Sequence, residues 1–153
     1  MDHLDRKILA IVQRDCASKA EAIAETVGLS ASAVQRRLRA LRSAGVIRAE
    51  VAVIDPKAIA GTMTFIAGLE IERENYGALQ KLRRWAEGCD HVQQLYYVTG
   101  GFDLVAIILA SDVEAYDMIA AALMRDNPLI RRMTTNVVLR AEKVGLEVPL
   151  AEE

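Results

Sequence analysis

Five polar side chains between residues 32 and 42 repeat at the spacing of one face of an α-helix. They carry hydroxyl, amide and guanidinium groups and belong to Ser32, Gln35, Arg36, Arg39 and Arg42. Residues three, four or seven positions apart share one side of a helix, so these groups would form a single surface. Guanidinium and amide groups donate hydrogen bonds to guanine edges, adenine edges and phosphate oxygens. This spacing predicts a surface that binds double-stranded DNA.

Simple solvation is the alternative for this face, because most charged helix faces only contact water. The face holds no acidic residue, however, whereas solvated helices commonly mix signs to form pairs four positions apart. The N-terminal part of a recognition helix reaches the bases, so we assign Ser32, Gln35 and Arg36 to base edges. Arg39 and Arg42 are assigned mainly to the phosphate backbone.

Two earlier helices are expected to support this surface. Asp2, followed three positions later by Asp5, predicts a capped amphipathic helix over about residues 3–14 with acidic residues in its first turn. Ser18 is followed three positions later by Glu21, which is the pattern of a capping box and predicts the start of a second helix.

The third helix is predicted over about residues 31–44. Gly28 ends the second helix and Ser30 caps the third, and helix, short glycine-containing turn and helix together form a helix-turn-helix. We count Ser30 among the DNA-contacting residues. Arg37 flanks the apolar stripe, and we expect it to form a salt bridge with an acidic residue of the helix scaffold. The buried stripe comprises Val34, Leu38 and Leu41.

Charge is distributed unevenly along the chain. The net charge is −2, yet residues 1–50 hold nine Lys and Arg against six Asp and Glu, whereas residues 51–153 hold ten against fifteen. Such asymmetry indicates a nucleic-acid-binding module joined to an acidic partner module.

A short hairpin, or wing, is expected after the third helix. Two β-rich segments, 46–48 and 51–53, flank residues 49–50, and Arg48 at the tip would contact a phosphate. Asp55 precedes a proline, which disfavours helix and marks a break.

These boundaries divide the chain into three parts. They are a helix-turn-helix DNA-binding domain at 1–53, a hinge at 54–61 and a second domain at 62–153, to which the family resemblance given below assigns oligomerisation and effector binding.

The sequence of the second domain predicts the order strand, helix, strand, strand, helix, strand. Its strands are predicted over 62–71, 92–98, 102–109 and 130–139. Asn75 would cap a helix that runs to about residue 87, and Asp112 would cap one that ends at Asn127. The order βαββαβ is the ferredoxin-like arrangement, an α+β fold with both helices on one face of an antiparallel sheet.

The other face of that sheet is also expected to be apolar. Val105, Ile107 and Leu109 alternate with the side chains that face the helices, so a monomer would expose a wide apolar surface. A face-to-face homodimer covers it most simply, and it would also present two recognition helices to a pseudo-palindromic site.

The motifs taken together resemble the Lrp/AsnC family of transcriptional regulators over essentially the whole chain. The similarity rests on Asp2-x-x-Asp5-x-x-Ile8-Leu9, Val27-Gly28-Leu29-Ser30, Arg36-Arg37-Leu38, Gly45-Val46-Ile47, Asp55-Pro56 with Gly61, and Thr99-Gly100-Gly101-Phe102-Asp103-Leu104. The resemblance implies a winged helix-turn-helix joined to the ferredoxin-like domain, dimers that build tetramers or octamers, and amino acids bound between them. Arg42 departs from the pattern, because relatives commonly carry Glu there.

The resemblance also implies where an effector would bind, near the loop at residues 99–103. Glycine backbone N–H groups approach a carboxylate closely, and Asp103 would accept from an ammonium group. The alternative is that Gly100 and Gly101 only form a tight hairpin turn, with Asp103 capping local backbone groups. The candidate effector-binding residues are Tyr97, Thr99, Gly100, Gly101, Asp103, Thr134, Thr135 and Asn136.

Other functional classes find little support in the sequence. No phosphate-binding loop or dinucleotide fingerprint occurs, and His3 and His91 fall in different domains, so we expect neither an enzyme nor a cofactor. Cys16 and Cys89 form no zinc or disulfide pattern. No membrane span or signal peptide is visible, so a cytoplasmic protein is expected. An effector-independent DNA-architectural protein of the same fold remains as the second hypothesis.

Overall fold

The chain forms two compact units. The computed structural model describes residues 1–56, 58–59, 61–72 and 76–150. The first unit comprises Met1–Val53 together with Lys143–Glu153, and the second comprises Ile54–Glu142.

Three helices build the first unit: α1 (His3–Val12), α2 (Ala20–Val27) and α3 (Ala31–Ser43). Each contributes a fully buried aliphatic side chain to one core, namely Ile8, Ile23 and Val34. Reciprocal backbone-to-carboxylate hydrogen bonds at the start of α1 form the capping box, which confirms the predicted role of Asp2 and Asp5. Gly28 ends α2 in the left-handed conformation with φ +73°, as expected.

The capping box predicted from Ser18 and Glu21 is wrong. Lys19 occupies the N-cap of α2, and no side chain caps this helix. The Ser18 hydroxyl instead donates to Oδ2 of Asp15 at 2.9 Å, while Oδ1 of Asp15 accepts from the Ala17 N–H at 3.0 Å. Asp15 therefore forms a local turn that engages the hydroxyl before α2 begins.

The hairpin predicted after α3 is not formed. Gly45 adopts φ +70°, and the N–H groups of Val46 and Ile47 both donate to the Leu41 carbonyl, which closes the helix end. Among the described residues between α3 and Met63 there is no strand. The connecting residues 49–50 are Ala and Glu, which do not favour the positive φ that tight hairpin turns require.

The C-terminal segment belongs to the first unit, although the sequence assigned it to the second domain. The Glu147 carboxylate forms an ion pair with Arg14 at 3.2 Å, and the Val148 N–H donates to Oε1 of Gln13 at 3.0 Å. Leu150 packs against the core of the three helices. The tail thus covers the end of α1.

The second unit has the predicted βαββαβ order. Its elements are β1 (Met63–Ile71), α4 (Tyr76–Glu87), β2 (Val92–Tyr97), β3 (Leu104–Ala110), α5 (Val113–Asp126) and β4 (Ile130–Val137). All strand pairs are antiparallel, in the order β2-β3-β1-β4, which confirms the ferredoxin-like fold class. Asp112 caps α5 by accepting from the Ala115 N–H at 2.7 Å. The predicted cap Asn75 lies outside the described residues.

The two faces of the sheet differ in their surroundings. On one face the core side chains pack against α4 and α5, and the ring of Tyr116 stacks on Phe65 with centroids 4.1 Å apart. The opposite face carries the cross-strand pairs Ile66–Ile107 and Gly68–Val105, and Ile66 is 36% exposed. The alternation predicted for β3 is therefore confirmed.

Candidate nucleic-acid interface and effector pocket

The helix α3 is fixed by its cap and by its buried stripe. The Ser30 hydroxyl accepts from the Ala33 N–H at 3.3 Å, and Val34, Leu38 and Leu41 are buried as predicted. The opposite side of the helix consequently faces outward, and its members Ser32, Gln35, Arg36, Arg39 and Arg42 are all exposed.

Arg37 joins α3 to the start of α1. Its Nη1 donates to Oδ2 of Asp2 and to Oδ1 of Asp5, each at 2.8 Å, which confirms the predicted salt bridge. These two carboxylates raise the pKa of Arg37. The Asp5 backbone N–H, followed by the Arg37 guanidinium, lowers the pKa of Asp2. Arg37 therefore has a structural role in orienting α3.

The outward side of α3 carries free positive charge. Within the described part of the chain, Arg36, Arg39 and the exposed Arg48 form no ion pair or side-chain hydrogen bond. Arg42 differs, since its Nη2 contacts Oε1 of Glu50 at 2.7 Å. The Ser32 and Ser30 hydroxyls lie 3.1 Å apart at the N-terminal end of the helix. This side can donate several hydrogen bonds to an anionic, acceptor-rich partner such as DNA.

The connection between β2 and β3 forms a four-residue loop. The Val98 N–H donates to the Asp103 carbonyl at 3.0 Å and closes the loop over residues 99–102. Gly100 has φ +121°, a conformation that favours glycine, while Gly101 has a negative φ. Gly100 and Gly101 therefore lie in the middle of a four-residue hairpin loop rather than in a two-residue turn.

Asp103 anchors this loop to the end of β1. Its Oδ2 accepts from the Ile71 N–H at 2.9 Å, and its own N–H donates to the Leu69 carbonyl at 2.9 Å. Local capping thus uses one carboxylate oxygen. Among the described residues, the other oxygen accepts no hydrogen bond.

An open cavity of about 590 Å³ lies beside the loop. It is lined by Gly100, Gly101 and Asp103 from the predicted set, and by Glu70, Ile71, Glu72, Phe102 and Arg131. These last five residues were not among the effector-binding residues predicted from the sequence. Oε2 of Glu70 on β1 and Nη2 of Arg131 on β4 lie 3.4 Å apart and form a cross-strand ion pair. The opposite charges at the ends of these two strands were the sequence signal that could have identified this part of the cavity.

The other predicted effector residues do not line the cavity and do not lie together elsewhere within a single chain. Thr135 lies on the helix-covered face, where its hydroxyl hydrogen-bonds the Tyr116 hydroxyl. Thr134 and Asn136 alternate with it and lie on the opposite face, beside Gly68 and Ile66. Tyr97 is 70% exposed on β2, at the other edge of the sheet from β4, and neither it nor Thr99 lines the cavity. Period-two alternation is the physical reason that three consecutive β4 residues cannot share one site.

Phe102 covers β1 at a glycine. A Cβ placed on Gly68 would lie 2.6 Å from the Phe102 ring, so only glycine permits this close approach. The ring and the Asp103 carboxylate thus both hold the loop against β1.

In the described residues, no group of three or more His, Cys, Asp and Glu side chains is arranged to hold a metal ion. None of the helices described above is long and apolar enough to cross a membrane.

Comparison with known proteins extends these observations. Residues 1–42 match the family model of the AsnC-type helix-turn-helix domain, and residues 64–147 match that of the Lrp/AsnC ligand binding domain. An uncharacterised HTH-type transcriptional regulator of Sinorhizobium fredii, y4tD, is 35% identical over 98% of this chain and 89% of its own length.

Two crystal structures share the fold over nearly the whole chain. An AsnC family transcriptional regulator from Agrobacterium tumefaciens has a TM-score of 0.88 at 28% identity, covering 98% of this chain and 97% of that one. A transcriptional regulator from Neisseria meningitidis, solved as an L-Met complex, has a TM-score of 0.88 at 23% identity with the same coverage.

Proposed function

The chain belongs to the Lrp/AsnC family of DNA-binding transcriptional regulators, and on this basis we propose that α3 is its recognition helix and that the loop at 99–103 binds an amino-acid effector. The matched relatives carry the names of transcriptional regulators, which supports regulation rather than catalysis as the function.

In the DNA-bound state, the N-terminal half of α3 enters the major groove. Ser32, Gln35 and Arg36 contact base edges, while Arg39 and Arg42 contact phosphates. Ser30 and Arg48, which flank the two ends of α3, add contacts to the DNA backbone. The single observation that carries this assignment is the exposed, unpaired Arg36–Arg39 surface on a helix whose other side is buried.

A salt-titrated gel shift on the DNA upstream of the chain's own gene tests this role. Arg39→Ala is expected to weaken binding on every sequence and to reduce the slope against log salt by about 0.9, the value for one phosphate contact. Arg83→Ala removes the same charge from α4 and serves as the control. An Arg39→Ala variant that binds like the control would remove α3 from the interface.

The effector site is proposed at the cavity beside the loop. The free oxygen of Asp103 would accept from an α-ammonium group, and Arg131 with the Gly100 and Gly101 N–H groups would donate to an α-carboxylate. The Neisseria relative is a complex with L-Met, which makes amino acids the first compounds to test.

A homodimer formed through the uncovered sheet face would complete the assembly. Its apolar pairs, such as Ile66 with Ile107, need cover that α4 and α5 do not supply. Higher oligomers would then bring residues of a second copy toward the cavity. Tyr97, Thr99, Thr134 and Asn136 are candidates for this contribution, whereas Thr135 is engaged by Tyr116.

Calorimetry with a panel of amino acids distinguishes a sensor from an effector-independent architectural protein. We expect one amino acid to bind and to change the gel shift, and Asp103→Asn to abolish both effects because it removes the negative charge facing the ammonium. Specific DNA binding with no heat from any amino acid would instead favour the architectural role.

A further inference from the structure

We propose that Glu50 competes with DNA phosphate for Arg42 and thereby limits the affinity of the α3 surface. This proposal rests on the function proposed above, in which α3 is the recognition helix. It assigns an affinity-setting role to a residue outside that helix.

The contact itself is well defined. Nη2 of Arg42 lies 2.7 Å from Oε1 of Glu50, with the two side chains 44% and 35% exposed. Arg42 follows Arg39 by three positions and Gln35 by seven, so it continues the outward stripe of α3. Glu50 therefore places a carboxylate against the cationic surface that would face DNA.

Acidic residues are rare in the part of the sequence that surrounds Glu50. No Asp or Glu occurs within α3, and Glu50 is the single acidic residue between Glu25 and Asp55. The other outward arginines of α3, Arg36 and Arg39, have no such partner among the described residues. The cationic surface is thus neutralised at one point, by a residue eight positions after the arginine.

Two physical effects follow when a phosphate approaches. The Arg42 guanidinium must leave Glu50 or share its donors with it, and an exposed ion pair is weak enough for a phosphate to compete. The Glu50 carboxylate also repels phosphates within the Debye length, which is about 10 Å at 0.1 M salt. Both effects weaken phosphate binding regardless of base sequence.

Glu50→Gln is the direct test, because it keeps the side-chain shape and removes the charge. Gel shifts on specific and on random DNA should show binding about three- to tenfold tighter at 0.1 M salt, with a slope against log salt steeper by about 0.9. Glu87→Gln is the matched control, since Glu87 pairs with Arg83 on α4. The control should leave both quantities unchanged.

A double-mutant cycle tests whether the effect passes through Arg42. Arg42→Ala alone should weaken binding, because a phosphate contact is lost and the Glu50 carboxylate is left without its partner. Glu50→Gln should then gain less affinity in the Arg42→Ala background than in wild type. The proposal is overturned if Glu50→Gln binds no tighter than wild type, or if its gain is as large without Arg42 as with it. A different result would show that α3 is not the recognition helix: the Arg39→Ala variant would bind DNA like wild type. The two failures can therefore be told apart.

Discussion

Arg37 and Asp5 join α3 to the start of α1 through a contact of 2.8 Å between Nη1 and Oδ1. Both side chains are largely shielded from solvent, and the same Nη1 also donates to Asp2. The residue that fixes the orientation of α3 thus lies directly beside Arg36, a residue assigned to reading the bases. Neighbouring arginines in one helix therefore have different roles.

Arg37→Ala should lower the thermal unfolding midpoint of the first unit, because it leaves two carboxylates close together without their shared donor. Arg36→Ala removes the same charge one position earlier, yet it should leave the midpoint unchanged and weaken DNA binding. Thermal circular dichroism and gel shifts on both variants separate the two roles. Equal losses of stability would show that Arg37 has no special structural function.

Sequence patterns predicted the helix ends of the first unit correctly where a single residue determines the local structure. The capping box of Asp2 and Asp5 and the left-handed Gly28 depend only on neighbours a few positions away. The cap expected from Ser18 failed for a similar local reason, since Asp15 engages that hydroxyl first. A pattern match does not show whether a serine hydroxyl accepts from a backbone N–H of the next helix or donates to a neighbouring carboxylate.

The contacts of the C-terminal tail and of part of the candidate site could not be predicted from the sequence, because they join residues that are far apart in the chain. Glu147 and Arg14 are 133 positions apart, and neither residue type is unusual at a protein surface. The Glu70–Arg131 pair beside the cavity depends likewise on strand register. The separation of Thr135 from Thr134 and Asn136 could have been expected from the sequence, since consecutive strand residues face opposite sides.

Asp2 should make the stability of the first unit sensitive to acid. Its pKa is lowered in the folded chain by the Asp5 N–H and by Arg37, so the folded state favours the ionised form. This contribution is complete above the ordinary aspartate pKa of about 3.9 and is lost as the pH falls through the lower folded value.

Asp2→Asn tests this expectation, because asparagine retains the capping oxygen but does not titrate. The thermal midpoint of wild type should approach that of the variant as the pH is lowered from 5 toward about 2.5. If the two curves stay parallel over this range, Asp2 is not the group responsible.

Leu150 should stabilise the first unit although it is remote from α1 in sequence. Leu150→Ala removes apolar contact with the three-helix core and should cost about 1 kcal/mol, less than for a fully buried leucine, because the side chain is only partly buried. Leu146→Ala is the matched control in the same tail, since Leu146 is exposed.

Hydrogen exchange provides the local readout for this pair. Amides of α1 should lose protection in Leu150→Ala, while those of the sheet in the second unit should not. Identical exchange in the two leucine variants would show that the tail does not contribute to the stability of the first unit.

Ile107 should be essential for self-association through the uncovered sheet face. Its side chain lies opposite Ile66 on that face, so Ile107→Glu would place a charge in the centre of the proposed dimer interface. We expect dissociation to monomers by light scattering, with DNA affinity reduced at least tenfold because two half-sites are no longer bound together. Val113→Glu, at an exposed valine in the first turn of α5, should change neither property. An Ile107→Glu variant that remains folded and dimeric would place the interface elsewhere on the chain.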